Sequence, residues 1–141
     1  MTTLTLAQAN TIITTALAEA RKASYKPMAV VVLDASGHVK AVQREDGASM
    51  FRVDVATGKA WASVGFSASS RTLMERARDN PNFYASLSAT SQGKFIPQTG
   101  SVVIKDASGN VMGAAGASGG TGDEDEAICI AGIAAAGLKH A

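Results

Sequence analysis

Two stretches of this chain are nearly the same: VVLDASGHV at residues 31–39 and VVIKDASGNV at residues 102–111. Each places an apolar run before Asp-Ala-Ser-Gly and returns to an apolar residue after it. In such a turn the aspartate supplies a side-chain acceptor for the local backbone, and the glycine supplies a positive φ. Both stretches therefore predict an antiparallel hairpin, the second carrying one extra residue. Convergent turn chemistry explains the echo as well as an internal repeat does. Either way, the chain is organised around two similar hairpins.

Helical signals flank them. Thr5-Leu6-Ala7-Gln8 reads as a capping box, and Leu6, Ala9, Ile13, Ala16, Leu17 and Ala20 follow at helical spacing, so residues 6–24 predict an amphipathic helix. Met28–Leu33 is a continuous apolar run, as expected of a strand covered on both faces. Residues 39–43 return as the second strand. Residues 49–65 read as helix, with Phe51, Val55 and Ala62 on one side. A further helix capped by Ser69 or Ser70 runs through Arg78, and Asn80-Pro81 breaks it. Residues 81–99 read as an irregular loop with a short helix. Strands follow at 101–105 and 111–117, then a last helix from Asp123 to about Lys139. The order helix, hairpin, helices, hairpin, helix predicts one α+β domain over residues 1–141, an antiparallel sheet with helices packed on it.

Composition narrows the function classes. Net charge is +1, and the 13 Lys and Arg are scattered, so no nucleic-acid partner is expected. No apolar run reaches the roughly 18 residues of a membrane span. The N-terminal MTTLTLAQANTII lacks the basic and apolar segments of a signal peptide, and a cytoplasmic location is expected. Cys129 is the only cysteine, which excludes an intrachain disulfide and a thiolate metal cluster; within Ala-Ile-Cys-Ile-Ala it reads as a buried small hydrophobe. His38 lies in a turn and His140 is the penultimate residue, so no Ser-His-Asp arrangement and no histidine metal site is expected.

Three places could carry chemistry. GASGGTGDEDE, residues 116–126, is a glycine-rich loop running into four acids. It matches neither nucleotide-phosphate fingerprint. The acids suit the positive end of a helix, with Asp123 as N-cap and Glu126 as its N3 partner. A sharper reading turns Asp125 inward, toward a backbone wall of Ser118, Gly119 and Gly120. In REDGA, residues 44–48, Arg44 could fork onto a carboxylate, Asp46 could cap the next helix, and Gly47 relaxes the backbone. Lys59 sits at helical spacing from Val55, Ala56, Ala62 and Ser63, with Arg52 two turns back. A lysine there must reach water or find a partner. It reads as a base, a Schiff-base amine or an anion anchor, or as half of a buried ion pair.

Taken in order, VVVLDASGHVKAVQREDGA, DVATGKAWAS, GSVVIKDASGNVMGAAGASGG and EDEAICIAGIAAAG resemble the GlcG/HbpS family, also called the haem-degrading domain family. The resemblance spans nearly the whole chain. It implies a profilin-like α+β fold with a five-stranded antiparallel sheet and helices on both faces. It also implies homo-oligomers, from dimers to octamers. Some members bind haem or are linked to its degradation; others accompany glycolate oxidation, cobalamin-related propanediol use or aromatic-compound breakdown. Carried over by position, the site residues are Arg44, Asp46, Gly47, Lys59, Ser118, Gly119, Gly120 and Asp125, with Lys59 and Asp125 catalytic and Arg44 a cationic partner. Two departures stand out. Glu45 replaces the usual Met of R-M-D-G, and residues 100–104 (GSVVI) replace a G-G-x-P-I stretch.

Three functions follow as expectations. A haem protein with its pocket near a subunit interface would draw an axial ligand from Met28, Met50, Met74, Met112, Tyr25 or Tyr84. A small enzyme would hold a keto or enol acid for tautomerisation, hydration or deamination, and Lys59→Ala would then abolish ligand binding without unfolding the chain. A structural or sensory oligomer would need neither.

Overall fold

Asp34 and Asp106 build the same turn, bond for bond. In the computed structural model, which describes residues 3–141, Asp34 Oδ1 accepts from the Ser36 and His38 amides at 2.9 and 3.0 Å. Asp106 Oδ1 accepts from the Ser108 and Asn110 amides, both at 2.9 Å. The first two residues of the N-terminal stretch lie outside the described residues. The turns join β1 (Ala29–Asp34) to β2 (Val39–Arg44), and β3 (Ser101–Lys105) to β4 (Val111–Ser118). Both hairpins shift register at the same place, between Val32 and Leu33 and between Ile104 and Lys105. Counted back from the aspartates, Lys105 is therefore the equivalent of Leu33. The hairpins match without an insertion, and the extra residue arises only when the Val-Val pairs are aligned instead of the turns.

Five strands form one antiparallel sheet in the order β2-β1-β4-β3-β5, where β5 is Lys139–His140. The sequence reading ran the last helix through Lys139. Instead α5 (Gly122–Ala135) stops near Gly137, whose φ of +75° turns the chain back to the β3 edge.

Helices cover both faces. Along β1 the side chains alternate: Val30 and Val32 join the core under α1 (Leu6–Lys22) and α5, whereas Val31 and Leu33 meet Ala56 and Ala60 of α2 (Phe51–Phe66). That two-sided burial is why β1 reads as an unbroken apolar run. The α1 capping box forms as expected, but Leu6 is 54% exposed; the buried stripe is Ala9, Ile12, Ile13, Ala16 and Ala20. Phe51 likewise points outward at 61% exposure instead of sharing a side with buried Ala62.

Beyond α2, Ser69 caps α3 (Ser70–Asp79). Asn80-Pro81 ends that helix as expected, yet Pro81 also opens α4 (Pro81–Thr90), since proline's fixed φ and missing N–H suit a first turn. Most of the stretch read as irregular is thus helical, and its Tyr84 and Phe95 pack with Leu73 and Ala62.

One contact fixes the height of α2 above the sheet. A Cβ added at Gly116 of β4 would lie 2.5 Å from the Ala56 carbonyl oxygen and 3.0 Å from Ala60 Cβ. Glycine lets the helix backbone rest directly on the strand, and that brings Lys59 down to the end of β4.

Candidate functional site

Lys59 is 5% exposed and Asp125 2%. The Lys59 ammonium donates to Asp125 Oδ2 at 3.0 Å and to the Ala117 carbonyl at 3.1 Å. The other carboxylate oxygen, Oδ1, accepts from the Gly120 amide at 2.9 Å. Three elements meet here: α2 brings the cation, the end of β4 and its glycine loop bring the backbone groups, and α5 brings the acid. An ion pair this deep needs further hydrogen bonds to offset its desolvation, and here both partners have one, from Lys59 to Ala117 and from Gly120 to Asp125. Burial pushes the Asp125 carboxyl above the ordinary range. Lys59, the Gly120 amide and the more distant Arg52 guanidinium pull it back down.

The inward turn of Asp125 depends on how α5 starts. Thr121 is the N-cap and forms the capping box with Glu124, so the expected pairing of Asp123 with Glu126 is corrected. The threonine hydroxyl takes the Glu124 amide, two residues before the one Asp123 would have taken. This frees Asp123 and Glu126 for Arg71 of α3, whose guanidinium bonds both: Nε reaches the Glu126 oxygens at 3.2 and 3.3 Å, and Nη2 contacts Asp123.

A cavity of about 580 Å³ opens over the buried pair, within the size range of small-molecule sites. Arg52, Lys59, Arg71, Met74, Ser118 and Asp125 line it. Arg52 Nη1 donates to Ser118 Oγ at 3.2 Å. Arg52 also lines a neighbouring cavity of about 470 Å³, together with Tyr25, Lys26, Gly119 and Glu124.

The sequence-derived residues divide between places. Lys59, Asp125, Ser118 and Gly120 meet at the first cavity, and Gly119 lines the second. Arg44 and Asp46 line a separate hollow with Arg21 and Glu45, and Arg44 donates to the Ala48 carbonyl at 2.6 Å. Gly47 has a φ of +84° and turns the chain against Pro27. Arg44 is thus not a cationic partner of Asp125; Lys59 alone pairs with it, and Arg52 acts on it from a distance. Glu45, where the family pattern has Met, takes the Met28 amide at 2.8 Å and Arg21 at 2.9 Å, a tie between β1, β2 and α1. The sequence reading passed over Arg52 and Arg71 as site residues. Arg52 had a legible signal, its seven-residue spacing from Lys59. Arg71 had none, because only the fold sets α3 against the start of α5.

This arrangement can be placed among known proteins. A family model described as haem degrading protein HbpS-like matches residues 4–134. The chain belongs to the HbpS-like family. The HbpS-like fold recurs in solved structures. The PduOC:heme complex is 24% identical, covers 98% of each chain and has a TM-score of 0.87. Protein ORFY of Klebsiella pneumoniae is 23% identical over 97% of this chain and 92% of that one, with a TM-score of 0.88. A double mutant of HbpS from Streptomyces reticuli is 27% identical over 95% and 87%, with a TM-score of 0.82. No curated protein gives a significant match. No helix among the described residues is long and apolar enough to cross a membrane, and no group of three or more His, Cys, Asp or Glu among them could hold a metal ion.

Proposed function

We propose that this HbpS-like chain binds a small molecule, haem foremost, in the cavity over Lys59 and Asp125. The observation that carries the reading is the cavity itself: it is of ligand size and has a hydrogen-bonded charged pair at its floor. The family description and the PduOC:heme complex support haem. Of the axial donors named from sequence, Met28 and Met112 lie in the core, Tyr84 is buried, and Met50 is 75% exposed. Met74 and Tyr25 line the two adjoining cavities. Thioether and phenolate are both ligand types that haem iron accepts. Arg52 and Lys26 are cations suited to its two carboxylates. Bound haem would supply its iron and its colour; the chain supplies the slot, one axial donor and the charges.

Assembly with further copies of itself belongs to the same reading. Met50 and Phe51, 75% and 61% exposed, immediately precede Arg52, and large apolar side chains beside a ligand cavity suit a subunit contact. Titration with haem should give a Soret band shifted from free haem, and Met74→Ala or Tyr25→Phe should abolish the shift. A spectrum identical to free haem at every protein concentration would sink the haem reading.

A second reading rests on the same pair. Asp125 is a carboxyl pushed upward by burial and touching an ammonium, so it suits proton transfer to or from a keto or enol acid. Incubation of 2-oxobutanoate in deuterated buffer should then exchange its C3 protons, seen by NMR. The rate should fall about a hundredfold or more in Asp125→Asn. Exchange no faster than in protein-free buffer removes the enzyme reading.

A further inference from the structure

Three cations line the main cavity: Arg52, Lys59 and Arg71. Two of them are already neutralised. Lys59 is paired with Asp125, and Arg71 with both Asp123 and Glu126. Arg52 makes no ion pair within 4.0 Å among the described residues: its guanidinium hydrogen-bonds a neutral hydroxyl, Ser118 Oγ, at 3.2 Å, and acts on the already paired Asp125 only from a distance. It also stands at the junction of the two cavities, lining both. A guanidinium offers five donors in a planar fork that matches a carboxylate.

From this we infer that Arg52 is the carboxylate anchor of the site: it takes one carboxylate group of the ligand in a forked pair, and the ligand body extends from that point into either cavity. The inference rests on the site proposed above and names the chemical group it selects. Lys59 is not the anchor, because its ammonium is buried and committed to Asp125 and Ala117. Arg71 is not, because two carboxylates already hold it. The carboxylate could belong to haem, whose edge carries two, or to a small free acid, so the test separates these sources.

Affinity is measured by calorimetry for haem, for haem dimethyl ester and for 2-oxobutanoate, with wild type, Arg52→Gln, Arg52→Lys and Arg78→Gln. Losing a charge-assisted pair should weaken the acid probe that binds by about ten- to a hundredfold in Arg52→Gln. Arg52→Lys, which keeps the charge without the fork, should fall between, and Arg78→Gln, at an exposed arginine of α3 that lines neither cavity, should stay within about threefold of wild type. Haem dimethyl ester should bind wild type and Arg52→Gln alike. Loss confined to haem assigns the anchor to the porphyrin edge; loss with 2-oxobutanoate assigns it to a free acid. Thermal unfolding of each variant guards against misfolding, and if Arg52→Gln is unstable the Arg52→Lys affinity decides. Affinities unchanged in the Arg52 variants, or an equal loss in Arg78→Gln, overturn the anchor while leaving the cavity as a site. Wild type that binds none of the three probes overturns the site and the anchor together.

Discussion

Replacing Lys59 by methionine should cost the folded chain about 3–5 kcal/mol at pH 7, because it strands a buried carboxylate at Asp125. That is a large share of the roughly 5–15 kcal/mol that holds a domain folded. The loss should depend on pH with a definite sign. Without Lys59, the group that most opposes the desolvation of Asp125 is gone, and the carboxyl rises further above the ordinary aspartate value of about 3.9. A folded-state value above the unfolded one means that the folded chain binds the extra proton. Stability is therefore retained at acid pH and lost as pH rises through the folded value. Urea unfolding from pH 4 to pH 8 should show Lys59→Met approaching wild type at the acid end and falling away toward neutrality. Adding Asp125→Leu should recover most of the loss and flatten the pH dependence. A single variant within about 1 kcal/mol of wild type at every pH would show that the pair contributes nothing as a unit. The expectation that Lys59→Ala abolishes binding without unfolding changes accordingly: binding and stability should fall together.

Gly116→Val should unseat α2 from the sheet. Its Cβ would stand 2.5 Å from the Ala56 carbonyl oxygen, 3.0 Å from Ala60 Cβ and 3.2 Å from the Ala60 amide nitrogen. Two of these are backbone atoms of α2, so no side-chain rotation relieves the clash, and the helix must lift from β4. The cost should exceed the roughly 1–3 kcal/mol of ordinary overpacking. Lys59 lies on the same helix turn, so the ammonium should leave Asp125 as the helix lifts. Urea unfolding measures the first effect and ligand affinity the second. Gly65 is the control: it sits on the outer side of α2 with no atom within 4 Å, and alanine there should stabilise by up to about 1 kcal/mol. Gly116→Val with wild-type stability would mean that α2 is not seated on the strand as described.

The parts legible in the sequence were those governed by local chemistry. The two Asp-Ala-Ser-Gly turns, the α1 capping box and the apolar run of β1 are each written within a few residues, and each formed as read. The inward turn of Asp125 was also within reach, because Lys59 on a small-residue face demanded a partner. What failed depended on distant chain. Arg44 looked like a site cation because its neighbours in sequence suggested chemistry, yet the Ala48 carbonyl takes its guanidinium. Asp123 looked like an N-cap because four acids in a row obscure which residue starts the helix; Thr121 won by position. The two residues of β5 are too short for a pattern, and only the edge of β3 gives them a structure. Pro81 was read as an end when it was also a beginning, since proline stops the preceding helix and suits the first turn of the next.

The pairing of β1 with β4 also bears on how the molecule assembles in time. Ala29 aligns with Ser118, and α1 rests against α5, so both the sheet's middle and one face of its core join the two ends of the chain. Each hairpin can close early through its own turn, but neither can complete the sheet. Such long-range closure places the chain among slower folders for its size. Until α5 arrives, Lys59 has no counter-charge and the apolar side of α1 is covered only in part, by β1 and β2. The ligand cavity is therefore among the last features to form, and a chain halted before Asp125 should present that uncovered surface to chaperones and not a partial site.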